Sequence, residues 1–161
     1  MRLSIHAIGR MKQGPERELV ARYLDRATAS GKPLALTGFD VHEPSESRAG
    51  SAAARKAEEA KALLAGVATG AVVVALDERG RSISSEAFAA TLARWRDDGR
   101  AAAAFVIGGA DGLDPSFVAA ADLVLSFSPL TWPHQLVRIM LAEQLYRATT
   151  ILSGHPYHRG D

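Results

Sequence analysis

Apolar positions along this chain come in two textures. Residues 2–9, 34–41, 71–76, 101–107 and 123–127 are short, dense apolar runs, as expected of strands buried in a parallel sheet. Between them lie longer stretches where apolar residues recur at helical spacing with charges in the intervening positions. Alternation of strand and helix predicts an α/β fold, a mostly parallel sheet flanked by helices.

Punctuation sets the boundaries. Gly14 and Pro15 open a first helix that Gly31 and Pro33 close. An Ala-rich helix begins at Ser51 and runs to Gly66, with Glu58, Glu59 and Lys61 on its wet side. Ser84 or Ser85 caps the next, which carries Glu86 and Trp95 and stops at Asp98 and Gly99. Asp114 and Pro115 open a short helix, and Pro133 stands in the first turn of a last one reaching about residue 150. Residues 43–50, polar and turn-rich, are expected to form a mobile loop.

Length and composition narrow the class. With 161 residues, 47% hydrophobic and 23% charged, residues 1–161 read as one globular domain with its own core. The first apolar run is broken by His6 and followed by Arg10 and Lys12, so it reads as a strand and not a signal peptide. No apolar run approaches the length of a membrane span. The lack of cysteine excludes disulfides, thiolate metal sites and a cysteine nucleophile, and fits a reducing compartment, the cytoplasm. A net charge of +1 means that any RNA binding must come from local patches. Candidates are Arg10 and Lys12, the helical series Arg17, Arg22 and Arg26, and Arg138, Arg147 and Arg159. The plain reading of each is a solvated face, and for the helical arginines it is the better one.

Candidate chemistry is concentrated in the last third. The segments Phe105-Val-Ile-Gly-Gly-Ala-Asp-Gly-Leu113 and Leu125-Ser-Phe-Ser-Pro-Leu-Thr-Trp-Pro-His-Gln-Leu-Val-Arg138 each switch from apolar strand to Gly, Ser or Pro. Loops leaving strand ends are where open α/β sheets bind ligands. A third segment, Gly154-His-Pro-Tyr-His158, ends the series. Taken alone, residues 108–112 are a tight turn, since they lack the G-x-G-x-x-G spacing and no long helix follows directly.

Together with Leu3-Ser-Ile-His-Ala-Ile-Gly9 and the strand end Val73-Val-Ala-Leu-Asp77, these segments resemble the ribosomal RNA large subunit methyltransferase H family over essentially the whole chain. The resemblance implies a SPOUT-type α/β knot, with the C-terminal part threaded into a trefoil. It implies S-adenosylmethionine as cofactor, and as substrate N3 of a pseudouridine in bacterial 23S rRNA, on the assembled ribosome. Carried over to this sequence, the cofactor would lie among Leu76, Gly108, Phe127, Ser128, Pro129, Leu130, Thr131 and Trp132. Tyr157 and His158 would contact the target base, with Arg138 and Arg147 stabilising its developing anion or gripping the adjacent phosphate. A homodimer through the last helix is implied too, and no metal. The sequence departs from the family at Trp132, where a smaller apolar residue is usual, in the alanines of 101–104, and in Gly160-Asp161 beyond the tail histidine.

These residue types suit that ligand. Glycines at 108 and 109 permit close backbone approach. Ser126, Ser128 and Thr131 supply hydroxyls, and Leu76, Leu130 and Trp132 supply apolar walls for the adenine. Methyl transfer to a ring nitrogen requires alignment of donor and acceptor and removal of the acceptor's proton. His134, at the start of the last helix, reads as structural or capping. Two other readings stand beside this one. One is a metal-dependent hydrolase using His155, His158 and Asp161 with Asp111 or Asp114. The other is a non-catalytic RNA-binding module without affinity for the cofactor.

Overall fold

The computed structural model describes residues 1–159. Five strands form one parallel sheet in the order β2-β1-β4-β3-β5: β1 (Arg2–Ala7), β2 (Thr37–His42), β3 (Val72–Arg81), β4 (Ala102–Ile107) and β5 (Leu123–Leu125). The helices are α1 (Pro15–Gly31), α2 (Ala52–Ala65), α3 (Ser85–Asp97), α4 (Pro115–Ala120) and α5 (His134–Ser153). The expected α/β class is therefore found.

Strand alternation sorts the helices between the two faces. Leu3, Ile5, Val72, Val74, Ala103 and Phe105 point to one side, where α1, α3 and α5 cover them. There Phe88 of α3 meets Phe105 edge-on, with ring centroids 5.9 Å apart. Ile8, Ala75 and Val106 point to the other, against Leu63 of α2 and Phe117 of α4. Ala103 and Ala104 of β4 are buried on opposite faces, so their small size serves a central strand.

Capping follows the sequence. Ser51 Oγ accepts from Ala54 N at 3.2 Å, Ser84 Oγ from Ala87 N at 3.2 Å, and Asp114 from Ser116 N and Phe117 N. Of the two serines offered for α3, Ser84 is the cap.

Three expectations need correction. The second apolar run begins with a 3₁₀ turn at Lys32–Leu34, so β2 starts only at Thr37. Pro33 lies inside that turn and favours it over a strand. Residues 43–50 are not a loose loop. Gly9 N donates to Pro44 O, Ser47 N to Glu59 Oε1 and Arg55 Nη1 to Ala49 O, which stitch the segment to its neighbours. Finally, β3 does not stop at Leu76. Its polar continuation turns back over the end of β5, where Ser126 N donates to Arg81 O at 3.0 Å. A Cβ at Gly80 would lie 2.7 Å from the Leu125 carbonyl carbon, so only glycine fits this crossing.

Candidate functional site

The carboxyl ends of β3, β4 and β5 open into a cleft of about 670 Å³, within the usual range for small-molecule sites. Three segments wall it: residues 77–79 in the extension of β3, residues 108–113, and the 126–134 connection to α5. Leu76, Ile107 and Leu125 form an apolar floor, and Leu130, Trp132 and Val137 extend it toward the rim. Of the residues expected to bind cofactor, Leu76, Gly108, Phe127, Ser128, Leu130, Thr131 and Trp132 all line the cleft. Pro129 does not, and is exposed.

The loops hold their shape through local bonds. Ser126 Oγ donates to Glu78 O at 3.1 Å and accepts from Ser128 N at 3.2 Å, while Ser128 Oγ accepts from Leu130 N at 3.0 Å. These hydroxyls act as turn builders. Gly108 has a similar internal role, because a Cβ there would sit 2.7 Å from the Gly112 carbonyl carbon and 2.8 Å from Leu113 N. Thus it is the loop's own closure, antiparallel at Gly109 and Gly112, that requires glycine at 108. Arg55 of α2 fastens the loop by a bidentate pair with Asp111, at 2.6 and 3.0 Å, and that bond holds the Asp111 carboxyl below its ordinary value.

Polar groups missed by the sequence reading converge here. Lys56, Asp77, Glu78, Arg79 and His134 line the same cleft. Asp77 accepts from Arg79 Nε at 3.1 Å and from Arg79 N, which pulls its carboxyl below the usual range. The apolar run that signalled β3 ended at Leu76 and gave no sign that the strand continues. His134 had been read as structural or capping, but no side-chain cap bond forms at the start of α5 and the residue faces the cleft.

The expected catalytic residues lie elsewhere on the molecule. Tyr157 and His158 fold back on α5 and α3. Glu143 Oε1 accepts from Arg147 Nε at 2.9 Å, from Arg147 Nη2 at 2.5 Å and from the Tyr157 hydroxyl at 3.1 Å. His158 Nδ1 lies 3.2 Å from Arg147 Nη1, and its Nε2 lies 2.7 Å from Glu86 Oε1. Arginine only donates, so Nδ1 accepts and Nε2 carries the proton toward Glu86. Burial first, then Tyr23 and Glu143, raise the Tyr157 phenol well above its ordinary value. Along α5, at 1.5 Å per residue, Arg147 stands about 15 Å from Val137, the last cleft-lining residue of that helix.

Arg138 is buried, at 1% exposure, and is not among the cleft-lining residues. Its Nη2 donates to the carbonyls of Ile8 and Gly9 at 2.5 and 2.7 Å, and its Nη1 to Glu43 Oε1 at 2.8 Å. Burial lowers its pKa and Glu43 opposes that shift. As for the residues of the metal reading, Asp111 is taken by Arg55 and Asp114 caps α4, while Asp161 lies outside the described residues, as does Gly160.

A parallel α/β sheet with this cleft at its carboxyl edge defines a class. The family described as "Predicted SPOUT methyltransferase" matches residues 1–158, and the chain belongs to it. Within that class it belongs with the ribosomal RNA large subunit methyltransferase H proteins. The one from Rhodopseudomonas palustris strain TIE-1 is 60% identical over 159 residues, covering 99% of each chain. That of Nitrobacter hamburgensis is 58% identical over 160 residues, covering 99% of this chain and 100% of its own. A crystal structure of a probable methyltransferase from Bordetella pertussis Tohama I has the same fold, with TM-score 0.50 and 15% identity over 91% of this chain and 95% of that one.

Proposed function

We propose that this chain methylates N3 of a pseudouridine in bacterial 23S rRNA with S-adenosylmethionine as donor, on the assembled ribosome. The observation that carries this reading is the cleft at the ends of β3, β4 and β5, lined by all but one of the residues the family resemblance assigns to the cofactor. Its residues suit that ligand, with apolar side chains at the floor, Asp77 and Glu78 for cationic groups and Lys56 for a carboxylate. When bound, S-adenosylmethionine supplies an electrophilic methyl group on a sulfonium.

The chain's own residues position the acceptor and stabilise charge. The Tyr157 phenol stays protonated near neutral pH, so it does not serve as proton acceptor for the base, and it donates to the base once it turns its hydrogen away from Glu143. Arg147, half-buried beside Tyr157 and His158, faces the charge that forms when the N3 proton leaves. His158 has both ring nitrogens engaged, Nδ1 by Arg147 and Nε2 by Glu86, which orients the ring beside Tyr157.

The distance between cleft and tail supports a homodimer in which the tail of one protomer serves the cleft of the other. Exposed Leu130, Trp132 and Leu136, with half-buried Met140, form an apolar stripe at the cleft end of α5 that a second copy would cover. Residues 1–161 act as one catalytic domain, and the trefoil threading goes with this reading, supported by the tight crossing at Gly80. No helix among the described residues is long and apolar enough to cross a membrane. A substrate on the ribosome places the enzyme in the cytoplasm.

Calorimetric titration with S-adenosylmethionine, followed by transfer of a labelled methyl group to ribosomes lacking the modification, tests the proposal. Saturable binding and N3-methylpseudouridine in the digested 23S rRNA are expected. A folded protein that binds no cofactor and methylates no ribosome would leave the RNA-binding-module reading in its place.

A further inference from the structure

Residues 8–13 leave the carboxyl end of β1 and are anchored by Ile8 and Met11, which point inward. Met11 is buried, at 5% exposure, while Arg10 and Lys12 on either side of it are exposed. The backbone beneath them is fixed at several points. Arg138 holds the carbonyls of Ile8 and Gly9, Gly9 N donates to Pro44 O, and Met11 N donates to Glu43 Oε1 at 2.9 Å. Since Glu43 also pairs with Arg138, the buried arginine and its carboxylate form a base plate for this loop. A loop pinned at successive residues loses little conformational entropy when its exposed side chains engage a ligand.

Arg17, in the first helical turn of α1, completes an open groove lined by Arg10, Met11, Lys12, Gln13 and Arg17, with no carboxylate in its lining. Among the described residues none of these three cations makes an ion pair, whereas Arg2, Arg55, Arg79, Arg96, Arg138 and Arg147 each do. Glu16 and Glu18 offset the field of the helix end, so attraction for an anion rests on the three side chains.

The groove has a defined position relative to the cleft. Ala7 of β1 is in register with Ile107 of β4, so the 8–13 and 108–112 loops leave neighbouring strands at one edge of the sheet. They touch, since a Cβ at Gly109 would lie 3.0 Å from Ile8 Cγ2. A polyanion lying in the groove thus runs past the mouth of the cleft.

We propose that the groove of Arg10, Lys12 and Arg17 grips the phosphate backbone of the RNA substrate next to the cleft, with the buried Arg138 and Glu43 pair holding the loop in its gripping shape. This rests on the rRNA reading above. Phosphate contacts of this kind fix register and orientation without reading sequence, which suits a small enzyme on a large preformed particle.

The test compares the wild type with the triple variant Arg10→Ala, Lys12→Ala, Arg17→Ala. Ribosome binding is measured by sedimentation over a salt series, together with methyl-transfer kinetics and cofactor calorimetry. A second triple variant, Lys32→Ala, Lys61→Ala, Arg94→Ala, removes the same charge from other exposed sites. The groove variant should keep its cofactor affinity, raise KM for ribosomes about tenfold or more with a much smaller change in kcat, and flatten the dependence of log binding on log salt by about 2–3. Matching KM and salt slope in the two triple variants would overturn the proposal. If the groove variant fails to fold, Lys12→Ala alone should flatten the slope by about 1. A wild type that binds ribosomes salt-dependently through the groove yet transfers no methyl group would sink the methyltransferase reading and leave the groove standing.

Discussion

Thr131 Oγ1 donates to Glu78 Oε2 at 2.8 Å, and this bond joins the two loops that face each other across the cleft. Glu78 belongs to the polar extension of β3 and Thr131 to the connection into α5, so the bond closes one wall against another. Thr131→Val keeps the shape and removes the donor. A hydrogen bond of this kind contributes roughly 0.5–1.5 kcal/mol. Because both residues are exposed in the free protein, the loss should fall on cofactor affinity, raising Kd about 2–10-fold with little change in Tm. Calorimetry and thermal melts of the same samples check this, and an unchanged Kd would show that the wall is held by its backbone alone.

Gly108 should be intolerant of even one methyl group. The nearest neighbours of an added Cβ are backbone atoms of Gly112 and Leu113, which move only if the whole loop opens. Gly108→Ala should therefore cost about 1–3 kcal/mol by overpacking, lower Tm by about 2–10 °C and weaken cofactor binding. Gly112→Ala makes a useful contrast. No atom lies within 4 Å of its Cβ, and its φ of +81° is the only source of strain, so it should cost only about 1 kcal/mol.

What the sequence could and could not reveal follows from the range of each signal. Dense apolar runs marked every strand, because burial on two faces leaves a local record in composition, and serine or aspartate marked three helix starts through short-range caps. The Gly, Ser and Pro switches located the loops of the cleft for the same reason. Contacts between distant segments left no such record. Glu78 meeting Thr131, Asp111 meeting Arg55 and Glu43 meeting Arg138 each join residues far apart in sequence, so the cleft's polar lining and the burial of Arg138 came only with the fold. Nor did the tail motif reveal that it packs on α3 and α5, away from the cleft of the same chain.

His6 gives the molecule a dependence on acid. It is buried, at 1% exposure, stacks on His42 at 4.6 Å and has an unpartnered Nδ1; burial first, then the charge of His42, lowers its pKa from 6.5 to about 4. The folded state thus favours neutral His6 more than the unfolded chain does. Its contribution is fully present above pH 6.5 and is lost as pH falls from 6.5 through about 4. Denaturant midpoints between pH 7 and 4 should decline over that window, and His6→Phe should flatten the decline. An imidazole resonance assigned to His6 that titrates near 6.5 would contradict the burial argument.

Tyr157 sets the opposite limit. Its phenol is held protonated, so stability is full below the ordinary value of 10 and falls as pH rises beyond it. Tyr157→Phe should remove part of that alkaline loss, and ultraviolet titration of the wild type should show one tyrosine ionising later than the rest. The same variant should raise KM for ribosomes more than Kd for the cofactor, because the proposed reading sets the hydroxyl against the target base and not against S-adenosylmethionine.

If one protomer's tail serves its partner's cleft, two inactive variants should restore each other. Gly108→Arg blocks the cleft and leaves the tail intact, while the double variant Tyr157→Ala, His158→Ala does the reverse. In a mixed dimer, one site then combines the intact cleft of one chain with the intact tail of the other, and the second site lacks both. Random association of equal amounts makes half the dimers mixed, each with one working site in two, so about a quarter of wild-type activity should return. A tail that served its own cleft would leave every site in the mixture broken and return nothing. Methyl-transfer assays before and after subunit exchange, on variants whose circular dichroism matches the wild type, separate the two arrangements.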